Sequence, residues 1–143
     1  MEISLNSLNE RQQKTMGKLK CKCGHIIVDQ TDNLEYKGYV LPDTLVEDVS
    51  VNLTNNIDSL IQSLKKGKKT DWINKHFQVP PYPIDLKESS MIHDLFNVSD
   101  KTQEIFECQN CGRIAIEFGT TNQFKFFTPE SDDTKGILNG KKK

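Results

Sequence analysis

The chain has 143 residues, 35% of them apolar and 27% charged, with a net charge of −1. That length supports one domain with its own core, and the charge balance argues against a dedicated nucleic-acid binder, which usually carries a basic excess. No apolar run approaches the ~20 residues of a membrane span, and the polar stretch from Met1 to Lys14 lacks the apolar segment of a signal peptide, so a cytoplasmic location with reduced thiols is expected.

In chain order, residues 1–15 read as a flexible leader anchored only by Ile3, Leu5 and Leu8, and Met16 is a second candidate start. A short strand is expected from His25 to Asp29. Residues 26–61 then hold seven acidic side chains against one basic, and residues 62–76 five basic against one acidic, so the near-neutral total covers an uneven surface. Val46, Val49, Leu53, Ile57, Leu60, Ile61 and Leu64 recur at spacings of three and four, which predicts a helix over about 45–66 with one apolar face. Thr44 and Glu47 have the spacing of a capping box at its start, and Gly67 suits its end.

A helical turn is expected over Asp71–Phe77 and a second short helix over Ser90–Phe96, burying Met91, Ile92, Leu95 and Phe96. The prolines at 80, 81 and 83 exclude regular structure between them. Strands follow at Thr102–Cys108, Arg113–Phe118 and Phe124–Thr128, the last two joined across Gly119–Asn122. The expected fold is α+β: a small antiparallel zinc-ribbon-like sheet, with halves at 20–29 and 103–128, joined by a long helical insertion over 43–97. These make one domain over 16–135, and 136–143 is a flexible basic tail ending in Lys141, Lys142 and Lys143.

All four cysteines fall into two close pairs, Cys21-Lys22-Cys23-Gly24 and Cys108-Gln109-Asn110-Cys111-Gly112, each leading into a strand. A tight turn aims two thiolates at one point, and a following Gly permits the positive φ that the turn needs. Two such turns supply the four ligands of a tetrahedral structural zinc site, which leaves no open position for substrate. One structural Zn²⁺ held by Cys21, Cys23, Cys108 and Cys111 is therefore expected, although 84 residues separate the two pairs. Loop-closure cost grows only logarithmically and tolerates that separation. A disulfide framework is disfavoured without a secretion signal, and a thioredoxin-like pair would open a helix rather than a strand. His25 is a further possible ligand, and Lys20, Lys22 and Arg113 are expected to offset the charge of a four-thiolate centre.

Catalytic machinery is not expected. No nucleophile motif, glycine-rich phosphate loop or H-E-x-x-H occurs, and His76 and His93 sit in apolar contexts as packing or surface residues. Lys65, Lys66, Lys68, Lys69 and Lys75 form the sharpest basic cluster, read as a solubilising helix end. Trp72, and Tyr82 within the proline segment, offer aromatic surface to a partner or to the core.

Lys20–Gly24 running on to Ile27 and Asp29, Phe106–Arg113 with its second knuckle, and the Phe126-Phe127-Thr128-Pro129-Glu130 close together resemble a loose group of small bacterial two-knuckle proteins. These are similar to immunity proteins encoded beside polymorphic toxins. The resemblance covers about a third of the chain. It implies a non-catalytic zinc-binding protein that binds and neutralises a cognate protein toxin. The partner-binding residues are then expected among the acidic positions of the helix: Asp43, Glu47, Asp48 and Asp58. The alternative is a zinc-ribbon nucleic-acid-binding or transcription-associated module, which would show a basic excess on its strands. Arg113 and Glu117 cancel on the strand after the second knuckle.

Overall fold

The computed structural model describes residues 11–77, 87–96, 98, 100–119 and 122–140. The first ten residues, the Pro80–Pro83 segment with Tyr82, and Lys141–Lys143 lie outside them. The fold is α+β, with two antiparallel sheets and three α-helices among the described residues. The chain divides into two compact units, one from Met1–Val40 with Thr102–Lys143 and one from Leu41–Lys101. No helix among the described residues is long and apolar enough to cross a membrane.

Among the described residues the first unit holds seven strands. These are β1 (Arg11–Gln13), β2 (Lys18–Lys20), β3 (Ile26–Val28), β4 (Lys37–Val40), β5 (Gln103–Glu107), β6 (Ile114–Glu117) and β7 (Gln123–Phe127). The expected strands β3, β5 and β6 form inside their expected bounds, shorter by one residue at each end, and β7 begins and ends one residue earlier than expected. Two further strands join the larger sheet, whose order is β1-β7-β6-β5-β4. Thus the last residues of the expected leader are sheet: Arg11 pairs with Lys125 and Gln13 with Gln123. Strand β4 borders β5, with Lys37 opposite Phe106 and Val40 opposite Gln103. Strands β2 and β3 make a separate hairpin. Met16 forms the tip of the β1–β2 turn, where Thr15 and Lys18 exchange backbone hydrogen bonds of 3.0 and 2.9 Å. Met16 and Gly17 both have positive φ (52° and 71°), the geometry of a type I′ turn.

The hairpin and the five-stranded sheet share one core. Leu19 and Ile27 from the hairpin pack with Phe106, Ala115 and Phe124, together with the sulfurs of Cys21 and Cys108. Phe106 and Phe124 meet edge to face with centroids 5.6 Å apart, an arrangement favoured by the ring quadrupoles. At its border sits a closed ring of four charges. Lys14 binds Asp29 at 2.9 Å and Glu104 at 2.6 Å, and Lys37 binds the same two carboxylates at 2.9 and 3.2 Å. Both ammonium groups also lie 5.4 Å from the centroid of Phe106. Outside the core, the turn after β7 is tied to the sheet by the buried Glu107, whose carboxylate accepts the Gly136 N–H at 2.6 Å.

The second unit is α1 (Asp43–Lys65), α2 (Lys69–His76) and α3 (Glu88–Leu95). Helix α1 starts two residues before the expected position. Pro42 stands at its N-cap, and no side chain caps it. The capping box expected from Thr44 and Glu47 does not form, because Thr44 is the second residue of the helix rather than its N-cap, and helical backbone does not aim its hydroxyl at the N–H three residues on. Asp43 supplies the favourable negative charge there instead. At the other end Gly67 donates to Leu64 O at 3.2 Å and Lys68 to Ser63 O at 2.9 Å, the paired bonds of a Schellman motif.

Leu60, Trp72, Ile73 and Met91 form the core of this unit, flanked by Leu64, Phe77, Ile92 and Leu95. Trp72 seals that core, with its indole N–H on Ser59 Oγ at 3.0 Å. Three expected core residues are instead exposed: Val46, Ile61 and Phe96. Ile61 follows Leu60 directly, and one step along a helix turns a side chain about 100° away from the buried line. Phe96 stands just past the last turn of α3, at its C-cap.

Candidate metal centre

Each cysteine pair occupies the bend between a strand end and the next strand. In the first knuckle Cys21 N–H donates to His25 O and Gly24 N–H to Cys21 O, both at 2.9 Å. In the second Cys108 N–H donates to Arg113 O and Gly112 N–H to Cys108 O, both at 2.8 Å. The two turns therefore close in the same way despite one residue fewer in the first. Gly24 and Gly112 have φ of +95° and +76°, the left-handed backbone that the cysteine spacing predicts.

The register of β5 with β6 and the packing of the β2–β3 hairpin on the sheet bring the two turns together. Cys21 Sγ lies 3.6 Å from Cys111 Sγ, and Cys23 Sγ 3.6 Å from Cys108 Sγ. All four sulfurs lie within 4.8 Å of one another. Cys21 and Cys108 are buried, Cys111 is half-buried and Cys23 is exposed. His25 is outside this convergent group, and its Nε2 is buried with no hydrogen-bond partner among the described residues.

The surroundings favour thiolate at Cys23 and Cys111 and oppose it at Cys21 and Cys108. Backbone N–H groups of residues 23 and 25 point at the sulfurs of Cys21 and Cys23, and those of residues 110, 111 and 113 at the sulfurs of Cys108 and Cys111. Asn110 Nδ2 is 3.5 Å from Cys23 Sγ, so the second knuckle donates to the first. Arg113 Nη1 lies 3.3 Å from Cys111 Sγ, which is the charge-offsetting role expected of a cation beside a thiolate cluster. Burial pushes the Cys21 thiol up to about 12 and that of Cys108 upward. The Asn110 amide, helped by the His25 N–H, brings Cys23 down to about 6. At Cys111 burial acts upward, but the backbone and guanidinium of Arg113 outweigh it and the thiol is lowered. The site thus combines two acidic thiols with two buried ones that a cation would have to deprotonate.

The other sequence-selected residues lie elsewhere. Asp43, Glu47, Asp48 and Asp58 are all exposed on α1. Helical geometry aligns Asp43, Glu47 and Asp58 on one side and leaves Asp48 about 100° away from them. His76 stacks on Trp72 with centroids 4.2 Å apart and contacts Trp72 O at 3.0 Å, so it is a packing residue. His93 is exposed beside Asp94.

Sequence reasoning missed the Lys14–Asp29–Lys37–Glu104 ring and the donor role of Asn110. The first has no local signal, since its members come from four separate segments. The second was readable in outline, because an Asn between knuckle cysteines is a donor placed beside thiolates.

The arrangement defines an α+β protein built around a four-cysteine cluster able to hold one metal ion. The profile of a domain of unknown function, DUF8617, matches residues 17–131, and the chain belongs to that family. The match takes in both knuckles and all three helices. No curated protein and no solved structure matches the chain.

Proposed function

We propose that this chain is a non-catalytic, zinc-stabilised binding protein whose ligand is another protein, with neutralisation of a cognate toxin in the cytoplasm as its specific form. The observation that carries the zinc assignment is the convergence of four thiols from two Cys-Gly turns. A zinc ion with sulfurs at about 2.3 Å makes a tetrahedron with edges of about 3.8 Å, and two Cys–Cys edges here measure 3.6 Å. Four sulfurs complete the coordination, so the ion would hold the two zinc-ribbon-like turns together and offer no position to a substrate. Tetrahedral four-sulfur sites also take iron. Metal analysis of the purified chain, with a spectrum free of visible absorption, separates the two.

The partner assignment is supported by α1, which carries four exposed acidic residues and no basic residue before Lys65. Enzymes that attack nucleic acid need basic clefts to hold phosphates. An acidic helix is complementary to such a cleft and gains on-rate from electrostatic steering. The test is co-expression with the product of the adjacent gene, followed by co-purification and a toxicity assay. Replacing Asp43, Glu47 and Asp48 with Lys is expected to slow association, most visibly at low salt. Tight binding of DNA or RNA by the purified chain at physiological salt, with no protein captured, would replace this proposal by the zinc-ribbon nucleic-acid module.

A further inference from the structure

Helix α1 has a second line of residues besides its buried one. Asp43, Glu47, Val51, Thr54, Asp58 and Ile61 follow at steps of four, four, three, four and three, and all six are exposed. At 100° per residue they fall within a stripe about 80° wide, and at 1.5 Å per residue it is about 27 Å long. Val51 is 46% exposed and Ile61 42%, and about 15 Å of helix separates them.

The charges along this line are arranged without internal compensation. Asp43 and Glu47 are neighbours at i,i+4, where like charges repel. No acid on the stripe has a lysine or arginine three or four residues on. None of Asp43, Glu47, Asp48 and Asp58 forms an ion pair among the described residues. A helix face built only for solubility mixes both signs and uses such pairs. Here three carboxylates frame two aliphatic side chains on one uninterrupted line.

We infer that this stripe is the docking face for a basic amphipathic helix of the partner protein. The partner's apolar residues would lie on Val51 and Ile61, and its lysines or arginines would meet Asp43, Glu47 and Asp58. Ridges of two helices interdigitate along such a line. The flanking charges set register and on-rate, while the aliphatic contacts carry affinity. This inference rests on the proposal that the ligand is a protein, and it excludes Asp48 from the contact.

The probe is a fluorescent 18-residue helical peptide of Leu and Lys in amphipathic order, about as long as the stripe, with a Leu/Glu peptide of the same pattern and an 18-base-pair DNA as controls. Binding to the full chain is followed by anisotropy at about 0.1 M salt. The Leu/Lys peptide is expected to bind saturably and the two controls not to bind. Both the Val51→Ser/Ile61→Ser variant and the Glu47→Gln/Asp58→Asn variant are expected to weaken it about ten-fold. Asp48→Asn, on the same helix but off the line, leaves binding unchanged. These residues are exposed, and unchanged circular dichroism checks that each variant folds.

No saturable binding, equal loss with Asp48→Asn, or full binding by Val51→Ser/Ile61→Ser would each overturn the stripe. The stripe and the toxin proposal fail separately. A toxin that binds the stripe variants as well as the parent chain refutes the docking face alone. Peptide binding along the stripe with no captured toxin refutes the immunity role alone.

Discussion

The sulfurs of Cys23 and Cys108 lie 3.6 Å apart although 84 residues separate them in the chain. One sulfur leaves a hairpin and the other the end of a sheet strand, so whatever joins them fixes the two sheets of the first unit to each other. The purified chain is accordingly expected to carry about one zinc. Replacing Cys108 by Ser should release the metal and lower the melting temperature of the sheet unit by about 10 °C, because binding free energy at such a site is also folding free energy. The helices of residues 41–101 have their own core of Leu60, Trp72, Ile73 and Met91. Far-ultraviolet circular dichroism should therefore retain most of its helical signal. A variant that keeps the parent melting temperature would show that the cysteines are incidental.

Asn110 and Arg113 act on the metal through the sulfurs they contact. Asn110→Ala removes the donor 3.5 Å from Cys23 Sγ, and Arg113→Ala the cation 3.3 Å from Cys111 Sγ. Each is expected to weaken zinc affinity about ten-fold or more, as loss of outer-shell partners does at other metal sites. Competition against a chromophoric chelator measures it. Arg113→Lys should recover part of the loss through its charge.

The four-charge ring predicts a pH window. Burial alone would lower Lys14 and Lys37, but Glu104 and Asp29 outweigh it and hold both ammonium groups above their ordinary value. Burial likewise acts upward on Asp29, and the two lysines bring it below its ordinary value. A lysine raised on folding contributes stability fully present below its unfolded pKa of about 10.4 and lost as pH rises through the folded value. A lowered Asp contributes stability present above about 3.9 and lost as pH falls through the folded value. The ring should therefore contribute a flat maximum across the neutral range and fail at both extremes. Lys37→Met leaves two carboxylates facing one lysine. Its expected cost is about 2 kcal/mol, less than the ~3–5 kcal/mol of a fully buried pair, because the ring keeps some solvent contact. Urea unfolding of the variant at pH 7 and pH 3 checks both sign and size, since the difference should shrink in acid.

Met16 is 93% exposed at the first central position of a type I′ turn, with φ of 52°. Asn tolerates that conformation better than an unbranched apolar side chain. Met16→Asn is therefore expected to stabilise the chain by about 0.5 kcal/mol, read as a higher urea midpoint with an unchanged slope.

The elements legible in the sequence are those whose signal is local. The Cys-Gly turns are set by residue type within five positions. Helix α1 is set by a 3.6-residue period sustained over six turns, and β6 by the alternation of Ile114 and Ile116 with their neighbours. What escaped was short or distant. Strand β2 is Lys-Leu-Lys and β4 is Lys-Gly-Tyr-Val, too few residues for alternation to stand out, and both exist because a neighbouring edge supplies their hydrogen bonds. Periodicity placed Ile61 on the core side because spacing alone does not say how wide the buried face is. That width depends on where α2 and α3 pack. Pairing of the two knuckles could be expected from their likeness, but their 3.6 Å approach, the order of the five strands and the meeting of Lys14 with Glu104 were decided only by tertiary structure. Those contacts join segments up to 90 residues apart, and their free energy belongs to the folded surfaces rather than to any stretch of sequence that could announce it.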